Sequence, residues 1–188
     1  MKQKPLGKRK CKNCGEIFQK TKPLQYVCNA ICAAKYASKK IVVERENEIK
    51  LKIDGMKKAI MKKSDWMELL QATFNTFIRI RDKDEPCISC GTYTSNKWDA
   101  GHCYPTTYSY LRFNEHNVNK QCSFYCNLNK RGNFHEYIPR LEAKIGVDAV
   151  QKLHEDRHKI LDLSVNDIQE LIKLYKSKIK QLKTKTNE

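Results

Sequence analysis

Nine cysteines occur in the 188-residue chain, and eight of them form two similar sets. The first set is Cys11, Cys14, Cys28 and Cys32, and the second is Cys87, Cys90, Cys122 and Cys126. Zinc takes four thiolate or imidazole ligands in a tetrahedron, and two closely spaced cysteine pairs supply half of one each. Two structural zinc ions are therefore expected. The odd total argues against a complete disulfide framework and suits a reducing compartment, where paired cysteines hold metal. Cys103 is left over, and a small apolar packing role beside His102 accounts for it. The second set encloses more than a finger needs. Cys90 and Cys122 are separated by 31 residues, room for an inserted hairpin. Asp99-Ala100-Gly101-His102 lies inside that gap, Asn117 stands five residues before Cys122, and Asn127 directly follows Cys126.

The elements that must position these residues follow from local pattern. Cys11-x2-Cys14-Gly15 is a tight metal-binding turn, and Cys28 and Cys32 sit at the start of a helix. Residues 33–63 are rich in Lys and Glu and read as a helical connector or partner-facing arm, interrupted near Asp54-Gly55. Residues 64–82 form a helix capped by Ser64, with Trp66, Leu69, Leu70, Thr73, Phe77 and Ile80 on one apolar face packed into a core. Short strands are expected around Thr92–Tyr93 and Trp98–Ala100. Helices follow after Cys126, over 133–146 and 147–158, and from a Ser164 cap onward, with Asp167 closing a capping box. Ile168, Leu171, Ile172, Tyr175 and Ile179 form the apolar face of that last helix.

Lys and Arg number 37 against 21 Asp and Glu, a formal net charge of +16. Such an excess favours a polyanionic partner, nucleic acid first and an anionic membrane surface second. No window of about 18 apolar residues is present, so no membrane span is expected. The basic start, Met1 to Lys10, has no apolar core behind it and does not read as a signal peptide. Lys8, Arg9, Lys10, Lys12, Lys20 and Lys22 surround the first cysteine set, which is either structural alone or structural with a grip on DNA phosphates.

The segment Cys87, Cys90, Ala100-Gly101-His102, Asn117-Val118 and Cys122 through Asn127-x2-Lys130 resembles the HNH, or ββα-metal, nucleases. Asp99-Ala100-Gly101-His102, Leu111 to Glu115, Lys120-Gln121-Cys122, Asn127-x2-Lys130-x-Gly132-Asn133 and Glu136-Tyr137 resemble the NinG (Rap) family of lambdoid phage recombination proteins. The second likeness spans most of residues 9–175. These resemblances imply an α+β, mostly helical fold. It would comprise a zinc module (1–36), a helical connector (37–82), a zinc-stapled ββα-metal core (83–146) and a helical tail (147–188). They also imply a metal-dependent endonuclease that cuts branched DNA, Holliday junctions and D-loops, in the bacterial host cytoplasm. His102 would be the general base, Asn127 and Asp99 ligands of a catalytic Mg²⁺ or Mn²⁺, and Asn117 the residue holding the hairpin and its histidine. Neutral imidazole can take a proton from water near physiological pH. Hard ions prefer the amide and carboxylate oxygens, while the thiolates keep zinc.

Many HNH sites carry an acid directly before the histidine, and here that position is Gly101. In a regular strand Asp99 and His102 point to opposite faces, so Asp99 would need a bulge at Gly101 to come round as a ligand. Glu115, His116 and His135 are the other candidate ligands. Arg112, Lys120, Lys130, Arg131 and Arg140 are expected around the site as phosphate contacts. Paired nicking of a junction would call for a homodimer. Two further readings remain open: a non-catalytic zinc-dependent DNA-binding or assembly module, and an HNH nuclease cutting linear duplex at a fixed sequence.

Overall fold

The structure, a computed structural model, describes residues 6–185; residues 1–5 of the expected zinc module and 186–188 of the tail lie outside the described residues. The chain divides into two compact units, Met1–Ile60 and Met61–Glu188. The division falls inside the 37–82 stretch expected to be one connector, which is therefore shared between the two units.

In the first unit, β1 (Lys8–Lys10) pairs antiparallel with β2 (Ile17–Gln19), placing Lys10 opposite Ile17. The turn between them carries Cys11 and Cys14. It closes with the Cys11 amide donating to the Glu16 carbonyl at 2.8 Å and the Gly15 amide to the Cys11 carbonyl at 3.0 Å. Gly15 holds φ at +82°, a backbone conformation that side-chain-bearing residues resist. Asn29 then caps α1 (Ala30–Ala59), its side chain accepting from the Cys32 amide at 2.8 Å. Cys32 is thereby fixed on the first helical turn, as its spacing predicts, and it is the one buried residue of α1. The helix continues through Asp54-Gly55 without the expected interruption. One glycine costs a helix about 1 kcal/mol, too little to break a run of Lys, Glu and Ile.

The second unit is built around α2 (Lys63–Arg81) and α5 (Val165–Lys185). Trp66, Leu70, Phe74, Phe77 and Ile78 of α2 form one core with Ile168, Ile172 and Tyr175 of α5. Leu69, Leu171 and Ile179 pack at its margin, so both expected apolar faces are used, except that Ile80 stays outside the core and Phe74 and Ile78 join the first. Ser164 and Asp167 make the expected capping box, the Asp167 amide donating to the Ser164 hydroxyl at 3.2 Å and the Ser164 amide to the Asp167 carboxylate at 2.9 Å. Ser64 does not cap α2. The helix begins one residue earlier, and Asp65 accepts from the Lys62 amide at 2.8 Å.

Between these helices lies an antiparallel hairpin of β3 (Trp98–His102) and β4 (Val118–Cys122). Thr92–Tyr93 is not a strand, because the Thr92 carbonyl accepts from the Cys87 amide at 2.8 Å and closes the cysteine turn instead. A helical turn of π geometry (Ser123–Asn129) follows β4, then α3 (Phe134–Ile145) and α4 (Val147–Asp156), separated at Gly146 as expected. Tyr137, Leu141, Val150 and Leu153 of these helices enclose a second core with Ile88, Cys103, Tyr104 and Leu111. Burial there pushes the Cys103 thiol up to about 12, so it remains a protonated apolar filler. No described helix is long and apolar enough to cross a membrane.

Asp82, at the end of α2, ties the hairpin to both cores. Its carboxylate accepts from Arg81 at 2.8 and 2.7 Å, from the Lys120 amide at 3.0 Å and from Lys144 at 3.4 Å. Burial opposes its ionisation, but the Arg81 hydrogen bonds, the Arg81 and Lys144 charges and the Lys120 amide together hold the carboxyl below its ordinary 3.8. Its stabilising contribution is therefore complete above about pH 4 and lost as pH falls through the folded value. Asp82→Ala should cost about 3 kcal/mol, the lower end for a buried pair because Arg81 and Lys144 keep some solvent. Urea melts at pH 7 and pH 3 check this: the gap between parent and variant should shrink at the lower pH.

Candidate functional site

Each cysteine set converges into a single cluster, with its four sulfurs all within 4.8 Å of one another. Cys14 and Cys28 sulfurs are 3.7 Å apart, Cys87 and Cys122 3.7 Å, and Cys90 and Cys122 3.8 Å. A zinc tetrahedron with bonds of about 2.3 Å puts its sulfurs about 3.8 Å apart. These separations are far beyond a disulfide bond of about 2.05 Å. Backbone amides also point at the sulfurs, Cys28 to Cys11 and Cys122 to Cys87, each at 3.4 Å. Burial opposes ionisation of Cys11, yet amides of Cys14, Asn13 and Cys28 bring its thiol down to about 6. Amides of Cys122, Cys90 and Ser89 lower Cys87 in the same way against burial. Both clusters thus fit zinc by donor type, spacing and a thiol already biased toward thiolate. Among the described residues they are the groups of three or more thiol, imidazole or carboxyl ligands so arranged.

The hairpin carries the remaining candidates in unbroken register, from Trp98 opposite Cys122 to His102 opposite Val118. No bulge occurs at Gly101, so Asp99 and His102 lie on opposite faces and the rotation that would bring Asp99 round is not made. Asp99 finds Asn127 instead: the Asn127 amide donates to its carboxylate at 2.9 Å. His102 and Asn127 line one cleft of about 440 Å³ with Ala100, Arg112, Arg131 and Gly132. His102 Nε2 lies 3.0 Å from the Arg112 carbonyl, which as an acceptor fixes the neutral ring as the Nε2–H tautomer. Burial pushes the imidazole below its ordinary 6.5, and the Arg112 charge adds to this against the carbonyls of Arg112 and Ala100.

Asn117 is fully buried and spans the loop that joins the strands. Its Oδ1 accepts from the Tyr104 amide at 2.8 Å, and its Nδ2 donates to the carbonyls of Tyr104 at 2.9 Å and Leu111 at 3.0 Å. It holds the backbone just beyond His102 and does not line the cleft. Glu115 is engaged by Lys178 of α5, and neither it nor His116 nor His135 lines the cleft. Of the five expected cations only Arg112 and Arg131 line it. Lys120 is buried, donating to the Lys83 carbonyl at 2.8 Å, and Arg140 lies in a separate cavity beside Cys87 and Lys144.

Two cleft residues come from α2, which the sequence pattern marks only as a core helix. Gln71 Oε1 accepts from Arg112 Nε at 2.7 Å, and Gln71 Nε2 donates to Asn75 at 2.8 Å. An amide pair four residues apart beside the apolar face of the helix is the signal that could have found them. A third residue, Gln121, explains Gly101. A methyl group at position 101 would stand 2.2 Å from Gln121 Oε1 and 2.8 Å from its Cβ. Gln121 is fully buried and its amide is held by Ser89 at 2.5 Å and the Gly132 carbonyl at 2.6 Å, so it has nowhere to move.

Fold and site together define a two-unit α+β protein with two four-cysteine clusters and a cationic cleft between hairpin and helix. The family model described as "Bacteriophage Lambda NinG protein" matches residues 3–185. The chain is 37% identical over 206 residues to "Protein ninG" of Escherichia phage lambda, covering 100% of this chain and 99% of that protein. It is 37% identical over 200 residues to "Protein ninG" of Salmonella phage P22 and 36% over 198 residues to that of Escherichia phage 933W, with 97% of each chain covered in both cases. The chain belongs to the NinG family of bacteriophage proteins. No solved structure matches it.

Purified protein should carry two zinc ions per chain by atomic absorption, and Cys126→Ser should lose one of them while Cys11 to Cys32 keep the other. Gly101→Ala should lower stability by about 1–3 kcal/mol through the clash with Gln121. Adding Gln121→Ala should recover part of that loss in a thermal melt, since the two effects share one contact.

Proposed function

We propose that the protein is a metal-dependent DNA endonuclease of the HNH type that cuts branched recombination intermediates. The observation that carries this reading is one cleft joining His102, tethered through Nε2, to Asn127, bonded to Asp99. With its proton held toward the Arg112 carbonyl, neutral His102 keeps the Nδ1 lone pair for accepting a proton from water. A depressed pKa keeps the ring in that form at neutral pH. Asn127 lines the cleft, and Asp99, which does not, is bonded to it from the other face of the hairpin. An amide oxygen and a carboxylate are the donor types that Mg²⁺ or Mn²⁺ takes, ions that retain water and accept further oxygens from a phosphate. Such an ion, when bound, polarises the scissile phosphate and stabilises the leaving 3′ oxyanion.

Arg112 and Arg131 place positive charge along the cleft, and no carboxylate lines it. Both can hold a phosphodiester against His102, and neither reads base sequence. The net charge of +16 supports a polyanionic substrate in the same way. Membership of a phage family supports action in the host cytoplasm. The thiolate clusters serve as scaffold, the second holding the hairpin against the turn that bears Asn127.

His102→Ala should reduce cleavage of a synthetic four-way junction in Mg²⁺ by at least about 100-fold with junction affinity kept within a few-fold. Unchanged cleavage would remove His102 from the chemistry and leave a zinc-dependent binding module as the better reading. Parent activity should hold steady above about pH 7 and decline only on the acid side of pH 6.5, because protonation of the depressed imidazole removes the base. Cutting of linear duplex at one sequence, in preference to the junction, would favour a sequence-specific nuclease.

A further inference from the structure

Three large apolar side chains stand exposed on the single turn that follows β4: Phe124 at 69%, Tyr125 at 53% and Leu128 at 68%. Scattered exposed apolar residues are ordinary, but three on one turn make a patch. The turn is tied at several points. Cys122 and Cys126 of one sulfur cluster flank Phe124 and Tyr125, and the Ser123 amide donates to the Lys97 carbonyl at 3.0 Å. The Lys130 amide donates to the Tyr125 carbonyl at 3.2 Å.

The patch is one wall of a cavity of about 720 Å³. The opposite wall is the loop carrying Thr92, Thr94, Ser95, Asn96 and Lys97. An amide and an ammonium, with hydroxyls bonded within their own loop, thus line the cavity beside the apolar wall, together with Cys90 and Cys122 and no carboxylate. A second cation, Lys130, sits 4.4 Å above the Tyr125 ring. The occupant that matches is flat and apolar on its face, hydrogen-bonding at its edge and anionic at its backbone. That is a nucleobase on its sugar-phosphate chain. Bases inside a regular duplex hide their faces against their neighbours, so the fit is to an unstacked base.

The turn also faces the cleft. Asn127 lines the cleft and its neighbour Leu128 lines this cavity. A base seated on Phe124, Tyr125 and Leu128 would therefore belong to a nucleotide near the phosphate at His102. We propose that this cavity binds an unstacked nucleobase at a DNA branch point, with Phe124, Tyr125 and Leu128 as its stacking platform. The inference rests on the endonuclease reading for its substrate and names the feature of that substrate the protein recognises.

The test compares a four-way junction with a linear duplex of equal length, without added Mg²⁺ and without chelator, so that cutting is suppressed and zinc is kept. Stacking on an aromatic side chain amounts to about 1–3 kcal/mol per base. The triple variant Phe124→Ala, Tyr125→Ala, Leu128→Ala should therefore bind the junction about tenfold or more weakly and lose less than about threefold on the duplex. Its zinc content and melting temperature should stay at the parent's values, since all three side chains are exposed. Phe124→Trp should keep junction affinity, and its added fluorescence should be quenched by the junction and not by the duplex. Equal losses on both DNAs, or none, would overturn the proposal, as would a change in oligomeric state of the triple variant, which would mark the patch as a contact between copies. If the parent cleaves the junction while the triple variant binds it as tightly, the endonuclease reading stands and only the stacking platform falls. If the parent binds neither DNA, both fall.

Discussion

Four sulfurs drawn within 4.8 Å tie together three parts of the second unit that are distant in sequence. Cys87 and Cys90 come from the turn after α2, Cys122 from the end of β4 and Cys126 from the turn that follows. Two consequences for the cleft pass through this knot. It closes one end of the hairpin, so the register from Trp98 to His102 is set from the Cys122 end. It also fixes the turn on which Asn127 faces Asp99 and Leu128 faces the neighbouring cavity. Little apolar core exists around it beyond Trp98, so bound metal would supply cohesion that side-chain burial does not.

The opposite end of the hairpin is held by polar groups. Asn117 stitches the loop beyond His102, and Asp82 gathers Arg81, Lys144 and the Lys120 amide. Tyr137 closes the back, its hydroxyl donating to the Gly101 carbonyl at 2.9 Å. A two-stranded sheet is marginal by itself in water. This one is stable because α2 covers one face and α3 the other, with buried polar atoms matched to specific partners. That matching leaves room for no side chain at position 101. It also explains how an acid two residues before the glycine reaches the region of the cleft through an amide on the following turn.

Helix α2 performs two tasks that its sequence pattern does not separate. Trp66, Leu70, Phe74 and Phe77 bury one face against α5, and Gln71, itself bonded to Asn75, accepts from Arg112. The carbonyl of the same Arg112 fixes the His102 tautomer. The geometry of the histidine therefore depends on a helix outside the cysteine-bounded segment. The first unit differs in kind: its cysteine cluster and hairpin are local, and α1 is held by helix propensity and pairs such as Lys40–Glu44 at 3.6 Å.

Both cysteine clusters, the capped start of α5, the separation of α3 from α4 and the nearness of Asn127 to Cys126 could be read from sequence. Each depends on residues within a few positions of one another, where spacing decides geometry. β4 could not be read, because Asn119, Lys120 and Gln121 are buried polar residues with no alternating pattern. Their partners, Tyr137, Lys83, Ser89 and Gly132, lie elsewhere in the chain. The sequence by itself determined which ligands form each sulfur cluster and which residues belong to the apolar helix faces. Tertiary structure alone decided that the Asn127 amide donates to Asp99 while Asp99 stays on the face opposite His102, that Gln121 excludes a side chain at Gly101, and that Gln71 anchors Arg112. Those contacts join residues 20 to 41 positions apart, where only packing sets the distance.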